Sequence, residues 1–481
     1  MKKIFSAVIA ILCFITVHAQ GYTITVHTHD YKSGLVYLAY HYGKSLDAQD
    51  SGTFDKNGTI VFSDNKNLPG GIYCIIFPGK TRTLDFFIDK SQVFTIKTDT
   101  ADFFKKTTIT GAPENDLFFK YQKIITPIGK VLMQEKNAYN RSATKADSSL
   151  HEANYVRYNK QLEIARDSII KANPTSMLTA LLLAMKDPQV LMQKPLTRQD
   201  STDNYNYYKA HYWDGITFMD ERIIRTPFFI PKVERYYRQV ISQNPDSIIA
   251  ESDYQLLLAR TCPEMYKFLL NWLTDEYFTP RYMGQDAILV HLFEKYHSQG
   301  LSPWLTKKQE DLISNRAYME MSNLVGEPAA DLNLIDSSGK VTSLYALSAD
   351  YTVVCFWDPT CGHCKIEIPR IDSIYQASWK KHNVKIYAVL TENVKTEWTK
   401  YIRENNIGDW TNVYQTAEMA KADDDANRPS FRQLYDVTAT PTLYLLDKDK
   451  RIVMKHLDWE QINDFLTLKW ANEAAANKPK K

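Results

Sequence analysis

The chain has 481 residues, enough for about three domains, and its 44% hydrophobic and 24% charged residues are the balance of a globular protein. Lys and Arg number 58 against 56 Asp and Glu, so net charge gives no case for binding nucleic acid or an anionic membrane surface. Six cysteines spread over this length exclude a disulfide scaffold.

Residues 1–19 read as a secretory signal peptide. Lys2 and Lys3 form the charged end, residues 4–17 the apolar run, and Val17-His-Ala19 a small-residue cleavage site. The run is short of the roughly 20 residues a membrane span needs, although an uncleaved anchor is the competing reading. Removing the signal takes Cys13 and two lysines, which brings the basic count from 58 to 56, level with the acids. Cys74, Cys262, Cys355, Cys361 and Cys364 remain. No later segment is long and apolar enough to span.

Residues 21–112 predict a small antiparallel β domain, a sandwich or barrel. The β-branched and aromatic runs 22–26, 35–39, 59–62, 72–77 and 93–97 alternate with the turn signals Asp55-Lys-Asn-Gly58, Pro69-Gly-Gly71 and Pro78-Gly79. His27 and His29 share one face of the first strand and read as a solvated face rather than a metal site. Residues 115–323 are all-α, with breaks at Asn173-Pro174, Asp187-Pro188, Asn244-Pro245 and Ser302-Pro303. Within them, 177–185 has the length of a buried helix, 220–225 reads as a salt-bridged helical surface, and Cys262 as a packed thiol.

Val325-Gly-Glu-Pro328 opens a third texture. A continuous apolar strand at 353–357, a helix at 361–380, a buried strand at 385–390 and an amphipathic helix at 395–405 follow in turn. A hairpin then joins 442–446 to 452–454 and a helix spans 459–470. That order predicts an α/β layered domain over 325–470, with a disordered tail at 471–481.

Cys361 and Cys364 sit three apart in the stretch FWDPTCGHCKIEIP. Zinc sites use that spacing, but a structural zinc needs four ligands, and no second C-x-x-C or H-x-x-x-H follows. No metal or cofactor is expected. The context favours redox chemistry instead. The pair lies where a buried strand gives way to a helix, so Cys361 meets the helix N–H groups and macrodipole, which favour its thiolate. Thiolate is the attacking species in disulfide exchange. Cys364, one turn along, lies beneath and can resolve a mixed disulfide. His363 adds a donor beside the pair.

The stretch resembles the TlpA/ResA-like group of exported thiol–disulfide oxidoreductases, which share the thioredoxin fold. Phe356-Trp357 stands at that group's strand end, Cys361-Gly-His-Cys364 at its active-site motif, and Pro369 at its helix-kinking proline. Thr440-Pro441-Thr442 stands at the loop whose proline is cis in the family. The resemblance implies a redox-active disulfide between Cys361 and Cys364, Pro441 keeping the peptide edge open to substrate, and Glu367 moving a proton for Cys364. Trp357, Thr360, Gly362, His363 and Thr440 become the active-site neighbours. Two departures stand out: thioredoxins carry a buried Asp where this chain has Cys355, and Thr360 replaces a common Trp. Gly362-His363 is the dipeptide of protein disulfide isomerase, poised at about −180 mV against about −270 mV for thioredoxin. The stretches Tyr22-Thr-Ile-Thr-Val26 and Leu68-Pro-Gly-Gly-Ile-Tyr73 are similar to the β domain of unknown function found ahead of such domains in Bacteroidetes envelope proteins.

The expectation is therefore a multidomain chain. An N-terminal all-β sandwich or barrel is followed by a central all-α region and a C-terminal α/β thioredoxin fold. It would exchange disulfides with protein substrates in the periplasm or cell envelope, drawing electrons from a membrane donor if reductive. A scaffold using the thioredoxin domain as an adaptor is the alternative. A thiol peroxidase is disfavoured, because Val354 and Asp358 occupy the positions where its motif needs Pro and Thr.

Overall fold

The computed structural model describes residues 21–80 and 83–476; the signal read at 1–19 and the last five residues lie outside them. The chain forms two compact units. One is built from residues up to 242 together with 254–268, the other from 243–253 together with 269 onward.

The first unit begins with strands β1 (Thr23–Thr28), β2 (Leu35–Tyr42), β3 (Ser45–Thr53), β4 (Thr59–Ser63), β5 (Gly71–Ile76), β6 (Thr83–Ile88) and β7 (Val93–Thr98). The short helix α1 (Phe103–Lys106) and strand β8 (Thr108–Thr110) complete the β domain. Two four-stranded sheets result, ordered β4-β1-β7-β8 and β3-β2-β5-β6. Alternate residues of both point inward: Ile24, Val26, Val36, Leu38, Ile75, Phe86, Phe94 and Ile96 share one core. The pairing is mixed rather than wholly antiparallel, because β1 and β7 run parallel. Between them the chain crosses to the other sheet and back, and so re-enters in the same direction. The polar edge strand β3 carries no apolar alternation; its charges suit an exposed edge.

Helices α2 (Glu114–Arg141) and α3 (Lys145–Ala172) form a hairpin, followed by α4 (Met177–Ala184) and α5 (Arg198–Ala210). Phe118 and Tyr121 of α2 and Leu178, Leu181 and Leu182 of α4 cover Ile72 and Phe87 on the outer face of β5 and β6. The 220–225 stretch folds as a 3-10 turn, Glu221–Arg225, and is buried rather than superficial. Arg225 is 5% exposed and faces Glu221 and Glu264 at 3.5 and 3.6 Å. Arg222 bridges Asp220 and Asp89. Helices α6 (Phe229–Arg235), α7 (Pro245–Ala259), α8 (Pro263–Phe278), α9 (Asp286–Leu292) and α10 (Lys307–Met321) complete the helical region.

The second unit carries the C-terminal α/β domain: β9 (Asn333–Asp336), β10 (Val341–Ser343), β11 (Tyr351–Trp357), α11 (Gly362–Ala377), β12 (Val384–Leu390) and α12 (Lys395–Glu404). After these come β13 (Thr411–Tyr414), α13 (Ala417–Asp425), α14 (Phe431–Leu434), β14 (Thr442–Asp447), β15 (Ile452–Lys455) and α15 (Trp459–Ala476). The sheet order is β10-β9-β13-β12-β11-β14-β15. At its centre β11 pairs parallel with β12 and antiparallel with β14. On one face Val353, Cys355 and Trp357 pack with Ile368, Ile371, Trp398 and Leu466 of α11, α12 and α15. On the other, Val354 and Phe356 pack with Leu344, Phe431 and Tyr435. A strand buried on both faces must be apolar throughout, and residues 353–357 are. Helix α15 runs on to Ala476, six residues into the segment expected to be disordered, because Ala471-Asn-Glu-Ala-Ala-Ala476 is rich in the strongest helix former.

A buried charge joins α9 and α10 to this sheet. Lys455 Nζ donates to Asp286 Oδ2 (2.6 Å), Glu320 Oε2 (2.8 Å) and Asn323 Oδ1 (2.5 Å), and all four residues are buried. Arg316 of α10 reaches Asp436 at 2.9 Å and also pairs with Glu320. Lys455→Ala would leave buried Asp286 without its cation while Glu320 keeps Arg316, so we expect a loss of about 3–5 kcal/mol in urea unfolding of the purified chain. A change below about 1 kcal/mol would show that water already screens the cluster.

Candidate active site

Strand β11 ends at Trp357, which is fully buried against Tyr401. The next residues make a tight turn held by Asp358. Its carboxylate accepts from the Thr360 N–H (2.7 Å) and hydroxyl (2.8 Å), an Asx turn, and its carbonyl accepts from the Cys361 N–H at 3.2 Å. Cys361 thereby becomes the N-cap of α11, with φ −67° and ψ 130°, and the first helical hydrogen bond runs from Lys365 N–H to its carbonyl (3.1 Å). Gly362 and His363 occupy the exposed first turn.

Across from the cysteines lies the loop before β14. The Thr440–Pro441 peptide is cis, and the Cys361 S–H donates to the Thr440 carbonyl at 3.4 Å. Cys361 is partly exposed, whereas Cys364 is fully buried and accepts from the Asp358 N–H at 3.5 Å. Both thiols are unbridged. The Thr440 side chain beside the Cys361 sulfur, with the backbone N–H groups of Cys364 and His363 at the helix start, holds its pKa below that of an ordinary thiol. Burial pushes the Cys364 thiol up to about 12. Three residues of separation thus divide two identical side chains into a ready nucleophile and a protected partner.

Cys355 stands behind them, fully buried in the same core cluster as Cys364; burial, and then the neighbouring Cys364, push its thiol well up. It supplies no carboxylate at the position where thioredoxins have one. Glu367, the acid singled out in the sequence, is half-buried on α11 with both oxygens engaged. Oε2 accepts from the Trp459 indole N–H (2.9 Å) and Oε1 from Arg370 (3.0 Å). Trp459, His456 and Asp458 join Glu367 and Pro441 around one groove. Sequence reasoning did not reach these three, since they lie some ninety residues from Cys364 and carry no motif. Among the described residues no group of three or more His, Cys, Asp or Glu side chains is placed to hold a metal ion.

Comparison with known proteins adds the family. Residues 325–455 match the model of the AhpC/TSA family, and residues 22–118 match a domain of unknown function, DUF4369. The AhpC/TSA match is confined to the C-terminal domain. The matched C-terminal domain follows the DUF4369 match and a helical region. Among solved structures, the chain is similar to a domain of a possible thiol-disulfide isomerase from Cytophaga hutchinsonii (36% identity, 32% of this chain and 97% of that one, TM-score 0.27). It is also similar to a thioredoxin-like protein from Bacteroides caccae (20% identity, 59% and 98%, TM-score 0.44). A third is the thioredoxin domain of a thiol-disulfide oxidoreductase from Bacteroides vulgatus (26% identity, 30% and 95%, TM-score 0.26). No curated protein matches the chain.

The unequal thiols of the AhpC/TSA domain make a direct prediction. Brief treatment of the native reduced protein with iodoacetamide at pH 7, followed by peptide mass mapping, should label Cys361 and spare Cys364 and Cys355 until the protein is unfolded. Equal labelling of Cys361 and Cys364 would contradict the geometry.

Proposed function

We propose that the chain is an exported thiol–disulfide oxidoreductase that exchanges disulfides with protein substrates. The observation that carries this reading is the asymmetry of the pair: an accessible Cys361 of lowered pKa, set over a buried Cys364 of raised pKa, beside the cis Thr440–Pro441 peptide.

In the reductive direction the Cys361 thiolate attacks one sulfur of a substrate disulfide. A mixed disulfide forms and the other substrate sulfur leaves as a thiolate that takes up a proton. Cys364 then loses its proton and attacks the Cys361 sulfur, which releases the second substrate thiol and closes the Cys361–Cys364 disulfide. Two electrons have passed from the chain to the substrate, and a dithiol donor on the membrane side must return them. The same steps run backwards when the substrate is a dithiol. Thr440 and Pro441 frame the edge on which the substrate strand lies, and Trp357 supports the turn from beneath. Thr360, Gly362 and His363 form the rim that meets the partner. In this reading Glu367, one turn beyond Cys364 on the same helix, takes up its proton after exchanging the Arg370 contact, in place of the acid that Cys355 does not supply.

The export pattern at 1–19 supports a periplasmic or envelope location, and among the described residues no helix is long and apolar enough to cross a membrane. The decisive assay is insulin reduction with a dithiol donor. Cys361→Ser should abolish the chain's contribution, and unchanged turnover would defeat the proposal. Cys364→Ser should accumulate covalent mixed disulfides that dithiothreitol releases. Recovery of non-covalent partners alone would favour an adaptor, and peroxide consumption by the reduced protein would favour a peroxidase.

A further inference from the structure

We propose that the groove beside Pro441 is a specificity subsite that receives a lysine or arginine side chain of the substrate polypeptide, next to the cysteine under attack. The inference rests on the oxidoreductase reading and adds which polypeptides are preferred.

The groove holds about 250 Å³, below the roughly 300–1,000 Å³ of small-molecule sites, so it suits one long side chain rather than a cofactor. It starts at Pro441, whose preceding carbonyl lies 3.4 Å from the Cys361 sulfur. Whatever fills it must therefore belong to a residue close in sequence to the attacked cysteine. Ile371 and Leu457 supply apolar walls along which the aliphatic stem of a lysine or arginine can lie while its charged end reaches polar groups.

Those polar groups are acceptors. Glu367 is fixed by the Trp459 indole. Asp458 caps α15, its Oδ1 accepting the Gln461 N–H at 2.8 Å, and this leaves the rest of the carboxylate for a ligand. The hydrogen bonds define the tautomer of His456. The Tyr444 hydroxyl donates to the Tyr435 carbonyl at 2.6 Å, so the 3.0 Å contact between that hydroxyl and His456 Nε2 needs the hydrogen on Nε2. Nδ1 is then a bare acceptor. Burial also holds the ring below the ordinary histidine range, so at neutral pH it adds no positive charge. Two carboxylates and a neutral imidazole thus line the groove, and no lining residue is cationic. Lys455 and Arg316 act on His456 from outside the lining, and Arg370 pairs with Glu367 at 3.0 Å but has a side chain 56% exposed. Such surface pairs hold weakly and yield to an incoming cation. An acidic substrate side chain would meet two like charges.

The test uses the full chain and three disulfide-linked peptide dimers, identical except for Lys, Ala or Glu on either side of the cysteine. Cys361-dependent kcat/KM should be about fivefold higher for the Lys peptide than for the Ala peptide, with the Glu peptide lowest. The spread should shrink as salt rises from about 0.01 to 1 M. Asp458→Asn keeps a good helix cap and should lower the Lys-to-Ala ratio. Equal kcat/KM for all three peptides, with the Ala peptide still reduced through Cys361, would overturn the subsite while leaving the oxidoreductase intact. So would a Lys preference that Asp458→Asn leaves whole. Absence of any Cys361-dependent reduction would overturn the oxidoreductase reading and the subsite with it.

Discussion

The C-terminal domain hangs on one constraint: a strand buried on both faces must stop at the point where a helix starts. From Val353 onward strand β11 has no solvent side, so its residues are apolar up to Trp357. Helix α11 then begins with N–H groups that have no intrahelical partner. The chain has three residues in which to turn from one to the other. Asp358 shapes that turn with its own side chain and puts a sulfur at the unsatisfied end of the helix. A second sulfur one turn later falls inside the core. The chemistry of the pair is thus a by-product of where the strand ends.

That junction was readable because its physics is local. An unbroken apolar pentad, a C-x-x-C and a hairpin around Asp447-Lys-Asp-Lys450 each declare themselves within a few residues. Non-local features were not readable. The parallel pairing of β1 with β7 depends on a path through another sheet, and β3 is held as an edge strand despite a polar sequence. Arg225 looked superficial because its partner Glu264 lies 39 residues away in the chain. The groove beside Pro441 is assembled from α11, the loop before β14 and the entry to α15, which no spacing connects. Resemblance, not periodicity, located Pro441 opposite the cysteines.

Both units place ions in their interiors, Arg225 in one and Lys455 in the other. Burying a charge costs several kcal/mol before its partners repay it, and an apolar replacement of the same shape is often no worse for stability. What a buried ion adds is discrimination: a misplaced apolar side chain loses a little, whereas a misplaced buried charge loses its counter-ions altogether.

Lys455 shows where that discrimination is spent. Strand β15 is the last in its sheet, with an irregular register against β14, and on its other side Ile452, its first residue, exchanges backbone hydrogen bonds with Gly326 and Glu327. A terminal strand of this kind has little in its apolar pattern to stop it slipping by two residues. The socket formed by Asp286, Glu320 and Asn323 accepts an ammonium at one position along the strand and penalises every other. The residue after Lys455 is His456, and the groove wall follows directly from there to Trp459. The helical region therefore acts as an indexing pin for the redox domain: by seizing one lysine it sets the frame in which the surface beside the reactive sulfur is presented.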